Sequence, residues 1–91
     1  MDISVIIPTY NRFDALAETL KQLENIEFPR DKWEVIVVDD GSTEESEESA
    51  QNIASSDKIN IRYFRQKNAG PARARNYGAK ESKSKYLIFI D

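Results

Sequence analysis

The 91 residues include no cysteine and no histidine. The first absence excludes disulfides and thiolate metal sites. The second removes the commonest general base and the usual zinc ligand. Any metal here is held by oxygen, which favours magnesium or manganese. Glycine and proline are scarce, three of each, so each marks an identifiable break in the chain. Neither a signal peptide nor a run long enough to span a membrane is visible; Met1 is followed at once by Asp2 and an apolar strand. The expected location is the cytoplasm or the cytoplasmic face of a membrane. A net charge of -3 gives no electrostatic case for nucleic acid as a partner.

What is present reads as one small folded unit. Hydrophobic residues are 40% and charged residues 32%, an ordinary globular mixture. Residues 3–8 form a nearly continuous β-branched run, Ile3-Ser4-Val5-Ile6-Ile7-Pro8. That suits a strand buried on both faces of a parallel sheet, with Pro8 ending it because proline has no ladder donor. Phe13, Leu16, Leu20 and Leu23 fall at helical spacing and predict a helix over 13–25, with Asn11 or Arg12 at its entry and Asn11 the better capping type. Residues 33–38 predict a second strand. A weak, exposed helix follows over 44–56, its first turns crowded by Glu44, Glu45, Glu47 and Glu48, where the helix dipole favours negative charge. Residues 59–64 alternate and read as an edge strand. Gly70-Pro71 opens a third helix reaching about residue 82, with proline at its first position. Residues 86–90 are the fourth strand. The order β-α-β-α-β-α-β with right-handed crossovers predicts a parallel α/β sheet with helices on both faces.

The chemistry gathers at the strand tips, where ligands bind in open α/β sheets. The first strand ends Pro8-Thr9-Tyr10-Asn11-Arg12. Tyr10 there is either a platform for a flat base or a half-buried loop tyrosine. The second ends Asp39-Asp40-Gly41-Ser42. A carboxylate at that point can accept from a base or ribose, and Asp-Gly is also a strong turn dipeptide. Adjacent acids point to different faces, so at most one faces a ligand. Residues 67–76 place Lys67, Arg73 and Arg75 near a helix start, which suits a diphosphate or is a solvated basic face. The two arginines are two apart and do not share a helix face. Neither G-x-G-x-x-G after the first strand nor G-x-x-x-x-G-K-[ST] occurs, which argues against dinucleotide and P-loop binding.

Taken in order, Val5-Ile6-Ile7-Pro8-Thr9-Tyr10-Asn11-Arg12, Val37-Val38-Asp39-Asp40-Gly41-Ser42, Ala72-Arg73-Ala74-Arg75-Asn76 and Leu87-Ile88-Phe89-Ile90-Asp91 resemble a family 2 glycosyltransferase over the whole chain. The resemblance implies the first, nucleotide-binding half of a GT-A, Rossmann-like fold with strand order 3-2-1-4. It implies inverting transfer of a sugar from a nucleotide diphosphate donor to an acceptor, with magnesium or manganese. It places Pro8, Thr9 and Tyr10 around the base, Asp40 on the base or ribose, and Arg73 near the ribose and diphosphate. It makes Asp91 the first acid of a D-x-D motif that holds ribose and metal. The rest of that motif, the acceptor pocket and the catalytic base have no counterpart in residues 1–91, so this portion by itself is expected to be inactive.

A non-enzymatic nucleotide-binding module is the alternative. A receiver-like domain fits poorly, because the first strand ends in Pro-Thr-Tyr rather than in acids. Residues 86–90 are apolar on both faces and, left as an edge, invite self-association.

Overall fold

The computed structural model describes residues 1–43 and 47–90. In chain order these form β1 (Ile3–Thr9), α1 (Phe13–Leu23), a single 3-10 turn (Arg30–Lys32), β2 (Trp33–Asp39), α2 (Glu47–Ile53), β3 (Ile61–Arg65), α3 (Pro71–Glu81) and β4 (Tyr86–Phe89). The expected acidic residues Glu44 and Glu45, and the site residue Asp91, fall outside the described residues.

The strands make one parallel sheet in the order β3-β2-β1-β4, as the family resemblance implies. Ile88 pairs with Val5, which places β4 beside β1 rather than beside β3. The continuous apolar runs of β1 and β2 follow from this topology: both are central and covered on both faces. Val5, Ile7, Val35 and Val37 pack under α1 and α2 with Phe13, Leu16, Leu20 and Leu23. Ile6, Ile36 and Val38 face α3, where Ala74 is fully buried. Gly78 brings that helix closest: a Cβ at this position would lie 2.5 Å from Ile6 Cγ2.

Pro8 does not end β1. The strand continues to Thr9, with Pro8 level with Val38. The Asp2 and Ile6 carbonyls accept from the amides of Tyr86 and Ile90, whereas the Thr9 carbonyl accepts from Asp40. By this alternation Pro8 faces the β4 side, beyond the last paired β4 residue. Its missing N–H falls where no ladder partner is required. β3 starts two residues later than predicted. Ile59 is still buried in the core, but its amide bonds the Ser56 hydroxyl, and the Asn60 carbonyl accepts from Val35.

At the opposite end of the sheet from the strand tips lies a polar cluster built on the buried Ser4 and Glu34. Arg62 forks onto Glu34, which also accepts from Ser4. Burial pushes the Glu34 carboxyl up, but Arg62 and Ser4 outweigh it and hold it below the usual range. No helix among the described residues is long and apolar enough to cross a membrane.

Candidate functional site

At the carboxyl ends of β1 and β2 an open crevice of about 520 Å³ is lined by Pro8, Thr9, Tyr10, Arg12, Asp40, Pro71 and Arg75. Its size falls within the range of small-molecule sites. Three pieces of chain build it: the tip of β1, the turn after β2 and the start of α3. Tyr10 is 45% exposed, with much of its ring open to a ligand.

The two adjacent acids separate as strand geometry requires. Asp39 continues the alternation of Val35 and Val37 and is fully buried. Its Oδ1 accepts from the Ser42 amide at 2.9 Å; its Oδ2 accepts from Tyr63 Oη at 2.8 Å and from Arg65 at 3.0 Å. Arg65 also donates to the Ser42 carbonyl. Burial, together with the Asp39 charge and hydrogen bond, pushes the Tyr63 hydroxyl up to about 12, against the opposing pull of Arg65.

Asp40 turns the other way and borders the crevice. Its Oδ1 accepts from Gln66 Nε2 at 2.8 Å and the Ala69 amide at 2.7 Å. Its Oδ2 accepts from the Gly70 amide at 3.0 Å and Asn68 Nδ2 at 3.2 Å. These bonds use about four lone-pair positions, the capacity of a carboxylate. Burial raises the Asp40 carboxyl, but the bonds from Gln66, Ala69 and Gly70 outweigh it and hold it below the usual carboxylate range. Asp40 thus anchors residues 66–70 and sets a negative charge against the start of α3, where the helix dipole favours it. Gly41 makes this approach possible: φ is +75°, and a Cβ there would sit 2.8 Å from the Asn68 nitrogen.

The structure brings Pro8, Thr9, Tyr10 and Asp40 together around one crevice. It does not bring Arg73 there. Arg73 borders a separate concavity with Gln66, Asn76, Tyr77 and Lys80, and Arg75 borders the crevice instead. The two arginines stand about 200° apart on the helix. The signal that identifies Arg75 is its spacing of four from Pro71, which puts both on one face. Arg12, which sequence reasoning did not single out, also borders the crevice, two residues past Tyr10 beyond the same strand tip. Asn11, expected to cap α1, does not: Arg12 holds the cap position without a side-chain bond, and Asn11 reaches across to Thr43. Among the described residues no group of three or more acidic side chains could hold a metal ion, and the metal role expected of Asp91 lies outside those residues.

Comparison with known proteins agrees with this architecture. An uncharacterized glycosyltransferase of Rickettsia bellii is 44% identical over 89 residues, covering 98% of this chain but 12% of that protein. The crystal structure of Staphylococcus aureus TarS 1-349 in complex with UDP-GlcNAc superposes with a TM-score of 0.87 at 33% identity, over 100% of this chain and 26% of that one. The mannosyltransferase PcManGT from Pyrobaculum calidifontis, in complex with GDP-Man and Mn2+, gives 0.79 at 29% identity over 89% of this chain and 24% of that one. The chain therefore spans a small part of the length of these relatives. The Glycosyl transferase family 2 model matches residues 4–91, nearly the whole sequence, and the strand order expected of that family is present in the fold: the chain belongs to glycosyl transferase family 2.

Proposed function

We propose that this chain is the donor-binding portion of an inverting, metal-dependent glycosyltransferase. It would hold a nucleotide diphosphate sugar whose sugar passes to an acceptor. The carrying observation is the single crevice that joins an exposed aromatic, Tyr10, to an arginine, Arg75, across the tips of β1 and β2. A nucleoside diphosphate needs this pair of features: a flat apolar surface for the base, and a cation for the diphosphate. The relatives whose structures hold UDP-GlcNAc and GDP-Man support the same ligand class.

In this reading Tyr10 stacks on the base, and the backbone of Pro8 and Thr9 borders it. Asp40 borders the base or ribose and fixes residues 66–70 on the wall opposite Tyr10. Arg75 takes the diphosphate contact, because it borders the crevice and Arg73 does not. Asp91 is assigned to ribose and metal. Magnesium or manganese would neutralise the departing diphosphate when bound. Titration of the 91-residue chain with UDP is the test. The expected result is saturable binding that weakens in Tyr10→Ala by about 1–3 kcal/mol, the scale of one base–aromatic stack. Absence of saturable binding, or equal affinity in Tyr10→Ala, would reject the reading.

The same chain is proposed to self-associate through β4. All four strand residues are exposed, from 38% for Leu87 to 62% for Tyr86, and among the described residues β4 is paired on one side alone. Tyr86 and Ile90 direct their amides to β1, so Leu87 and Phe89 present theirs outward. An antiparallel pair of β4 strands centred on Ile88 sets Leu87 against Phe89 and Tyr86 against Ile90, which keeps every apolar residue of 86–90 opposite another.

A further inference from the structure

Asn11 and Ser42 use their polar atoms on each other's loops. The Asn11 amide donates to Ser42 Oγ at 2.8 Å; the Thr43 amide donates to Asn11 Oδ1 at 2.7 Å; Asn11 Nδ2 reaches Thr43 Oγ1 at 3.3 Å. Ser42 is 1% exposed and is itself held by Asp39 Oδ1 and, through its carbonyl, by Arg65. Asn11 has a φ of +49°, a left-handed conformation that asparagine tolerates better than most residues. Neither Asn11 nor Ser42 lines the crevice, yet Asn11 lies between two residues that do, Tyr10 and Arg12.

We infer that Asn11 and Ser42 are positioning residues, a clasp between the tips of β1 and β2 that aims Tyr10 and Arg12 into the crevice. The inference rests on the proposed nucleotide site for its functional meaning. A loop carrying an exposed aromatic must otherwise be ordered by the ligand, at a cost in affinity. Here the left-handed turn at Asn11 is fixed before a ligand arrives, by bonds running through Ser42 to the buried Asp39. The chain of contacts continues into β3 through Arg65 and Tyr63, so the base-side wall is braced by three neighbouring strands. Asp40 braces the opposite wall through Ala69 and Gly70. The adjacent acids therefore hold different walls of one crevice.

The test uses the 91-residue chain with Ser42→Ala and Asn11→Gly. Glycine keeps the left-handed backbone accessible and removes the side-chain bonds; alanine at 42 removes the acceptor for the Asn11 amide. Backbone order parameters from NMR relaxation report Tyr10 and Arg12 directly. In the unmodified chain both should match the sheet, about 0.85, and in either variant fall toward about 0.6. UDP affinity should fall about 3- to 10-fold in each, the factor carried by one ordinary hydrogen bond, with the chain still folded. Unchanged order at Tyr10 and Arg12 in both variants would overturn the clasp. So would lowered order with unchanged UDP affinity. If the unmodified chain does not bind UDP, the nucleotide reading fails, and the order parameters alone decide whether the clasp exists. Should Ser42→Ala fail to fold, Asn11→Gly, at a half-buried turn position, carries the same comparison.

Discussion

Replacing Asp40 with asparagine is the sharpest perturbation of the crevice wall, because it exchanges one oxygen for an NH2 group and nearly preserves shape. The carboxylate accepts four bonds: Oδ1 serves Gln66 Nε2 and the Ala69 amide, and Oδ2 serves the Gly70 amide and Asn68 Nδ2. Asparagine keeps one oxygen. Whichever way its amide turns, the nitrogen confronts one backbone N–H and one side-chain donor. A buried donor left without an acceptor costs about 1–3 kcal/mol, and loss of the charge weakens the bonds that remain. The favourable placement of a negative charge at the α3 start adds about 0.3–1 kcal/mol. The expected loss is about 2–4 kcal/mol, a large part of the roughly 5–14 kcal/mol available to a chain of this size. Urea unfolding at pH 7 measures it as a lower midpoint at unchanged slope.

The acid limb supplies an internal control for that prediction. The Asp40 carboxyl sits below its ordinary value of 3.8 in the folded chain. Its contribution is therefore fully present above the unfolded value and is lost as pH falls through the folded one. The gap between Asp40→Asn and the unmodified chain should close as pH drops below 3.8. Glu34, also depressed, from 4.5, loses its contribution in both proteins and leaves the comparison intact. Unfolding free energies within about 0.5 kcal/mol of each other at pH 7, the spread of ordinary surface changes, would refute the reasoning.

Four further outcomes are expected. Arg75→Ala should weaken UDP binding more than Arg73→Ala in the same titration; the reverse order would return the diphosphate contact to Arg73. Gly78→Ala should destabilise by about 1–3 kcal/mol despite alanine's better helix propensity, because the new methyl meets Ile6 at 2.5 Å; thermal unfolding checks it. Ultraviolet titration should show Tyr63 ionising near 12, and Asp39→Asn should lower that value while the part owed to burial remains. Ile88→Cys should form a disulfide-linked dimer on oxidation, since the chain holds no other cysteine and the two copies of residue 88 would face each other in a pair whose Cα atoms lie about 4.5 Å apart; a monomer throughout a concentration series would contradict pairing through β4.

The sheet was legible because its signals are local and redundant. The β-branched runs of β1 and β2, the Phe13-Leu16-Leu20-Leu23 stripe and the Gly70-Pro71 helix start each specify one element, and right-handed crossovers leave few topologies. The neighbour of β4 was not legible from pattern alone and came from the family resemblance. The crevice was legible in part. Residues at strand tips converge by topology, which brought Pro8, Thr9, Tyr10 and Asp40 together. A motif match named Arg73, whereas helix phase sets Arg75, four residues after Pro71, at the crevice and Arg73 at a separate concavity. Asn11 carried a capping signal, but its side chain found a partner 32 residues away, a contact that no local pattern encodes. Pro8 likewise looked like a stop until the alternation of ladder bonds showed its nitrogen pointing past the end of β4.

The most direct measurement of the central claim is an amide chemical-shift map of the 91-residue chain titrated with UDP. Saturable shifts should concentrate at Thr9, Tyr10, Arg12, Asp40 and Arg75, around the tips of β1 and β2 and the start of α3. Residues at the opposite end of the sheet, Glu34 and Arg62 among them, should stay in place. Shifts centred on Arg73, Asn76 and Lys80 instead, or no saturable shift at all, would contradict the account.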